Sequence, residues 1–190
     1  MMARALAVVF CALAAGCAAT PPARFYTLAA SAPAAETRTD TSVSVGPVSI
    51  PASIDRPQMV LGDDLRPVRL DEQHRWAMPL QENLSSVIAQ NLAALLGTPN
   101  VTRFPRTSAA QADFRVTVDV ERFESVAAQS VRLDAAWMVR RMSDGATELH
   151  SSSVREPVQG DDYEALAAAH SRALARLSQD IATALHNLGN

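Results

Sequence analysis

The chain has 190 residues, a formal charge of −3 and 48% hydrophobic residues, enough apolar material for one ordinary domain with a buried core. Its basic side chains are all arginine and are outnumbered by carboxylates, which excludes the basic patch that nucleic acid requires. Cys11 and Cys17 are its only cysteines, so a network of disulfides is excluded as the source of stability.

The chain opens on an apolar run, Ala5 to Leu13, behind a single positive residue, Arg4. The run is too short to cross a bilayer as a helix, which takes roughly 20 apolar residues, but it has the length of a secretory signal's apolar region. It closes on Leu13-Ala14-Ala15-Gly16-Cys17. Small residues directly before a cysteine resemble the lipobox of bacterial lipoproteins, although Ala14 stands where leucine is usual and Leu13 is one position further back. That resemblance implies cleavage after Gly16 and a diacylglyceryl group, with acyl chains such as palmitate, on Cys17. The alternative is an ordinary secretory signal cut near Ala19. Cys11 would leave with the signal, so no thiol pair would remain. Ala18 follows the cysteine where Asp would retain a lipoprotein at the inner membrane, and this favours the outer membrane. The expected division is residues 1–16 as a lipoprotein signal peptide, 17–24 as lipidated Cys17 and a short tether, and 25–190 as a single α+β periplasmic domain. No later stretch approaches membrane-spanning length, so the covalent lipid on Cys17 is the one anchor expected and no other cofactor is called for.

The tether is an Ala/Pro segment whose seven residues reach about 25 Å when extended. Phe25-Tyr26-Thr27-Leu28 is β-prone, and Ala29 to Thr41, without periodicity, reads as a surface loop. Val43, Val45, Val48 and Ile50 make a strand in which a bulge at Gly46-Pro47 keeps both pairs on the core side. Ile54-Asp55-Arg56-Pro57 turns into a short apolar run, Gln58 to Leu61. Gly62-Asp63-Asp64 reads as a turn, and Leu65 to Leu70 as a weak edge strand. Trp76, Leu80, Leu84, Val87, Ile88, Asn91, Leu92 and Leu95 recur at helical spacing. Gly97 and Pro99 stop that helix, Pro79 suits its first turn, and Trp76 lies just ahead of it.

Val101 to Phe104 is a short strand. In Asp113 to Val120, Phe114, Val116, Val118 and Val120 point one way, and the phase flips at Phe123, predicting a bulge near Glu121-Arg122. Val131, Leu133, Ala135, Trp137 and Val139 alternate in the next strand. Ser143-Asp144-Gly145 is a hairpin turn, and Thr147 to Val158 returns with a polar, serine-rich outer face. A final helix, capped by Asp161 with Glu164 three residues on, lines Tyr163, Leu166, Leu174, Leu177, Ile181, Leu185 and Leu188 along one side. The fold class is α+β, an antiparallel β-sheet packed by two amphipathic helices in a two-layer sandwich.

Chemistry-bearing motifs are scarce. There is no P-loop, dinucleotide-binding glycine pattern or nucleophile elbow. His74, His150, His170 and His186 lack metal-ligand spacing, and the Asp63-Asp64 and Asp161-Asp162 pairs lack the alternation of a calcium loop. His170, set among alanines, reads as a core or subunit-contact histidine, and Ser151 to Ser153 as a solvent-facing strand. We assign no catalytic residue and no metal ligand, and expect a non-enzymatic protein; a hydrolase assembled from scattered residues is the rival. Two stretches look more determined than their surroundings: Ile54-Asp55-Arg56-Pro57-Gln58, a charge pair beside a proline, and Arg75-Trp76 ahead of the first helix. Each has a structural explanation, a turn salt bridge in one and a tryptophan plugging the core beneath arginine in the other. The functional explanation makes Ile54, Asp55, Arg56, Pro57, Arg75 and Trp76 candidate partner-binding residues.

Taken in order, the pieces resemble the ABC-transport auxiliary lipoproteins of the PqiC (YmbA-like) type. The matching features are the cysteine at 17, Phe25-Tyr26-Thr27-Leu28, Val45-Gly46-Pro47-Val48-Ser49-Ile50-Pro51, Ile54-Asp55-Arg56-Pro57-Gln58-Met59-Val60 and Arg75-Trp76-Ala77. The resemblance implies a non-enzymatic outer-membrane lipoprotein that accompanies an MCE-domain protein in intermembrane phospholipid transport and supports envelope integrity. Because MCE proteins form rings, it also implies a lipoprotein able to form a homo-oligomer. The rival reading is a lipoprotein chaperone or pilot for another outer-membrane assembly, such as a secretin or the lipopolysaccharide machinery.

Overall fold

The computed structural model describes residues 22–63, 66–105, 112–126 and 129–189. In chain order the elements are β1 (Arg24–Tyr26), β2 (Val43–Ser49), β3 (Gln58–Asp63), β4 (Arg66–Trp76), α1 (Leu80–Leu96), β5 (Val101–Arg103), β6 (Phe114–Val126), β7 (Ser130–Arg141), β8 (Thr147–Pro157) and α2 (Tyr163–Gly189). The expected signal, Cys17 and part of the expected Gly62-Asp63-Asp64 turn lie outside the described residues.

The 13-residue β6 organises the molecule. Along one edge it pairs antiparallel with β7, which in turn pairs with β8, giving the expected meander. Its other edge is shared: β2 runs beside Phe114–Asp119, and β3 joins at Ser125. β2 and β3 therefore lie end to end along one strand, and the turn from Pro51 to Pro57 connects them. β4 and then β1 extend the sheet beyond β3, and β5 extends it beyond β2, making eight strands in one sheet.

The α+β sandwich with two helices stands, but the sheet is mixed: β1 on β4, β2 on β5, β2 on β6 and β3 on β6 are parallel. Alternation specifies which face a side chain takes, not the direction of the neighbouring strand. Parallel neighbours need a long crossover, and α1 and the Ala29-to-Thr41 stretch supply two of them. The inner face carries the core. α2 packs on β7 and β8, α1 on β2 and β5, and the two helices on each other.

Local features follow the sequence closely in the meander. The β2 register breaks between Val45 and Val48, around a cis Gly46-Pro47 bond, so that Val43, Val45 and Val48 are all buried. The β6 register breaks between Val120 and Arg122, which turns Phe123 and Ser125 inward. One correction concerns β8: Ser152 faces the core, where its hydroxyl accepts from Trp137 Nε1 at 3.0 Å and donates to Asp180 Oδ2 at 2.6 Å. Two more are single-residue shifts at helix starts. Pro79 is the residue ahead of α1, and Asp162, not Asp161, caps α2 by accepting from the Ala165 N–H at 2.7 Å.

The stretch from Ala29 to Thr41 has no regular structure, as expected, yet it is tied to both helices. The Ala29 N–H donates to Ser171 Oγ, and the Ser31 and Ala32 N–H groups both donate to the buried Asn91 Oδ1. Further on, the Ala35 N–H reaches Ala94 O and the Thr39 hydroxyl reaches Leu96 O. At the end of α1, Gly97 is left-handed (φ 62°, ψ 32°), and a Cβ there would stand 2.2 Å from Thr37 O. Glycine is thus required both by the helix cap and by the strap that crosses it.

Candidate partner-binding site

The two stretches singled out in the sequence are brought together. The Pro57 carbonyl accepts from the Trp76 N–H at 2.7 Å, and Gln58 pairs with Arg75 where β3 begins and β4 ends. β1 joins the same row, with Phe25 opposite Arg75 and Tyr26 opposite Trp76. Because neighbouring residues on a strand point to opposite faces, Trp76 and Arg75 part company here.

Trp76 goes inward. It is buried, with its ring 6.2 Å from Phe123 and 5.7 Å, edge-on, from His170. Ile54 is buried too, so neither side chain can touch a partner. Arg75 takes the outer face and does not lie over the tryptophan. Its Nε donates to Glu72 O at 2.8 Å and its Nη2 to Glu72 Oε2 at 3.0 Å, and Gln58 Nε2 meets the same Oε2 at 3.1 Å.

The expected turn salt bridge is absent among the described residues. Ile54 N–H and Asp55 N–H both donate to Pro51 O, which folds the turn by backbone alone, and Arg56 Nη2 reaches back to Ala52 O at 3.5 Å. Asp55 and Pro57 are exposed, and the buried Arg56 Nε has no hydrogen-bond partner among the described residues. Of the six candidates, then, Asp55, Arg56, Pro57 and Arg75 reach the surface, while Ile54 and Trp76 hold the turn and the strand end in place. Cys17 lies outside the described residues.

Sequence reading missed two members of this surface, Glu72 and Phe25, and named Gln58 only as the end of a singled-out stretch. Glu72 and Gln58 join it because β4 is longer than expected and bulged: Gln58 pairs with Arg75 but Met59 pairs with Asp71. Asp71 shapes the bulge by accepting from the Gln73 and His74 N–H groups at 3.0 and 3.1 Å, while its other oxygen accepts from the Tyr163 hydroxyl. Burial alone would raise the Asp71 pKa, but these donors outweigh it and hold the carboxyl below the usual range. Burial and the same carboxylate push the Tyr163 hydroxyl well above the usual tyrosine range. Behind the bulge His74 stacks on Tyr163 with ring centres 3.5 Å apart and bonds Tyr26 OH at 2.7 Å, joining β1, β4 and α2. The other missed member is Phe25, which shares the outer row with Arg75 and is 64% exposed. A β-prone tetrapeptide gives no sign of which aromatic faces out.

A second cluster has the composition of a catalytic pair. Ser125 Oγ lies 2.6 Å from His170 Nε2, the separation of a nucleophile and its base. Ser125 and His170 are 2% and 1% exposed, however, and His170 Nδ1 has no partner among the described residues to orient the ring. Phe123 and Trp76 close the space around it. Burial pushes the imidazole pKa down to about 3, so the ring is neutral and serves as a core hydrogen-bonding group. Among the described residues no three His, Cys, Asp or Glu side chains gather as a metal site, and no helix is long and apolar enough to cross a membrane.

Comparison with known proteins gives a consistent picture. A model of the family described as the ABC-type transport auxiliary lipoprotein component matches residues 26–182. No curated protein matches the chain significantly in sequence. Among solved structures, a crystal structure of an uncharacterized protein superposes with a TM-score of 0.71 at 17% identity, covering 87% of this chain and 99% of that one. Protein XCC0632 from Xanthomonas campestris superposes with a TM-score of 0.67 at 18% identity, covering 83% of this chain and 92% of that one. At these identities the likeness speaks for the fold. A looser likeness, with a TM-score of 0.43 at 15% identity over 77% of this chain and 90% of that one, is to the PelC dodecamer from Paraburkholderia phytofirmans.

Proposed function

This chain belongs to the family of ABC-type transport auxiliary lipoprotein components, and from that premise we propose that it is a non-enzymatic outer-membrane lipoprotein of an MCE-type intermembrane phospholipid transport system. Cys17 carries the lipid, the only non-protein group the chain needs, and the tether behind it keeps the domain within about 25 Å of the periplasmic face of the membrane. Paired lipid chains make such residence stable where one would not.

The observation that carries the partner-binding half of this reading is the convergence of two distant stretches on one exposed ridge. Asp55, Arg56 and Pro57 project beside the Glu72–Arg75–Gln58 row, on a turn made rigid by backbone bonds and by buried Ile54. A fixed loop with one acidic, one basic and one proline side chain costs little entropy to dock and offers directional charge contacts. Its partner is the MCE-domain protein of the transport assembly, which supports envelope integrity. Since such proteins form rings, several copies of this chain would meet one assembly, and a homo-oligomer satisfies that symmetry.

The test reverses the ridge's charges while sparing its buried supports. Asp55→Arg with Arg56→Glu, in the full-length lipidated protein, should leave folding and membrane residence intact. It should lower co-purification of the MCE-domain protein by tenfold or more. Undiminished recovery, or recovery of a secretin or an outer-membrane β-barrel in its place, would sink the proposal.

A further inference from the structure

A strand at the edge of a sheet leaves backbone groups unpaired, and proteins keep such edges short, bulged or charged. Two edges here are short: β1 and β5 have 3 residues each. β4 extends beyond β1 but is bulged against β3. β8 is different. It runs for 11 residues, pairs with β7 alone among the described residues, and keeps its register throughout.

The two ends of the β7–β8 hairpin show which groups are left over. The Arg141 N–H donates to Ala146 O, and the Val158 N–H donates to Gln129 O. Both fit one ladder, in which the even-numbered residues of β8 bond to β7. The N–H and C=O groups of Thr147, Leu149, Ser151, Ser153 and Arg155 therefore point away from the sheet, and none is hydrogen-bonded among the described residues. These residues are all exposed, and no charge interrupts them before Arg155. Leu149 is 76% exposed, beside the partly exposed Met138 of β7. α2 stands over the second half of β8, with Asp180 on Ser152 and with Arg172 and Arg176 on Glu156. By Leu188 it has crossed to Arg141 of β7, which leaves the stretch from Thr147 to Ser151 open.

We infer that β8 pairs antiparallel with β8 of a second copy, about a two-fold axis through Leu149. The edge is complementary to itself in this register. Leu149 meets Leu149, each backed by its own Met138, and the two residues exchange N–H···O=C bonds, as do Thr147 and Ser151. On the other face Glu148 meets His150 of the second copy at both ends of the contact, a carboxylate against an imidazole that donates to it. Other registers that keep the faces in phase do worse. Centring on Glu148 opposes two carboxylates, and centring on Ser152 sets Glu148 against Glu156. Centring on His150 or Ser151 leaves Leu149 beside serine. A two-fold contact closes on two copies, so the pairing is separate from the ring symmetry invoked above and rests on neither the lipid nor the MCE-domain protein.

The test is sedimentation of the full-length protein in density-matched detergent, with the fold of each variant checked by circular dichroism. The unchanged protein should show a monomer–dimer equilibrium at micromolar concentrations. Leu149→Arg, at a position too exposed to disturb the core, should raise the dimer dissociation constant tenfold or more. Ser151→Pro removes an outward N–H and none that β7 uses, and should do the same. Glu148→Lys and His150→Glu should each fail to pair with themselves, yet associate when mixed, because the mixture restores opposite partners at both contacts. A protein still monomeric at about 0.1 mM overturns the inference, as does a dimer that survives Leu149→Arg. Association that ignores the two charge variants, or that mixing them does not restore, overturns the register and with it the two-fold pairing.

Discussion

Two regions of the sheet are built by different means. In the meander, Val116, Val118, Leu133, Trp137, Val139 and Val154 fill the space beneath α2, and the polar groups on that face, such as Ser152, are bonded to one another. In the wing made by β1, β3 and β4, order depends on hydrogen-bonded side chains: the Asp71 carboxylate accepting from the Gln73 N–H, Tyr26 OH bonded to His74 Nδ1, and Arg75 Nε donating to Glu72 O. Apolar burial is non-directional and roughly proportional to area, so the meander tolerates no opening but asks for little precision. Hydrogen-bonded clamps contribute less each and leave groups facing outward. The difference shows why the exposed candidate residues fall on the wing: it is the part of the sheet that is held in shape without being sealed.

The largest effect should come from opening the sealed half. Leu133→Ala, at a fully buried β7 position, should cost about 2–5 kcal/mol of unfolding free energy in urea. A loss below about 1 kcal/mol would mean that the meander is loosely packed and the contrast between the regions overstated. Acid should act where the two regions meet, at the contact of His170 with Ser125 of β6 and Trp76 of β4. His170 has a pKa near 3 when folded and close to 6.5 when unfolded, so below pH 6.5 the unfolded chain binds the extra proton. Stability should be flat above that pH and fall on acidification towards pH 3, by up to about 1.4 kcal/mol per pH unit. His170→Gln should flatten the slope measured by urea titration at several pH values; an unchanged slope would assign it to the carboxylates, Asp71 among them. The smallest effect belongs to the wing. Asp71→Ala should cost about 1–3 kcal/mol and should raise amide exchange at Gln73 and His74 while leaving β7 protected. Equal loss of protection in both regions would show that they unfold as one unit.

The same contrast explains what could be read in advance. The meander was legible where its side chains alternate strictly, in β6 and β7, and even its bulge shows as a change of phase between Val120 and Phe123, whereas the serine run of β8 hid the inward-facing Ser152. β2 was legible for the same reason, with Gly46-Pro47 marking the irregularity. The wing was legible only in part. Pro67 and the polar run Asp71-Glu72-Gln73-His74 hid a strand that reaches Trp76, since a strand held by side-chain clamps has no apolar period to detect. The importance of Ile54–Pro57 and Arg75-Trp76 could be felt from composition, but not that they touch, because a pairing across 17 residues with a three-residue bulge leaves no periodic trace. The parallel directions were hidden as well: they depend on the Ala29-to-Thr41 strap, whose bonds to Asn91 and Ser171 use residues that look like ordinary helix positions.

That strap also decides how the domain would carry a load. A pull on the chain upstream of Pro22 enters at β1, along the axis of a strand that lies parallel to β4, so its ladder is sheared as a unit and not peeled one bond at a time. Once past β1, tension reaches Ser171 on α2, then Asn91 on α1, then the last turn of α1, each engaged in succession. The helices take up the strain before β2 and the core sheet feel it. A domain pulled from its N-terminal end is in this way loaded first along β1 and its strap, and only afterwards in β2 and the core sheet.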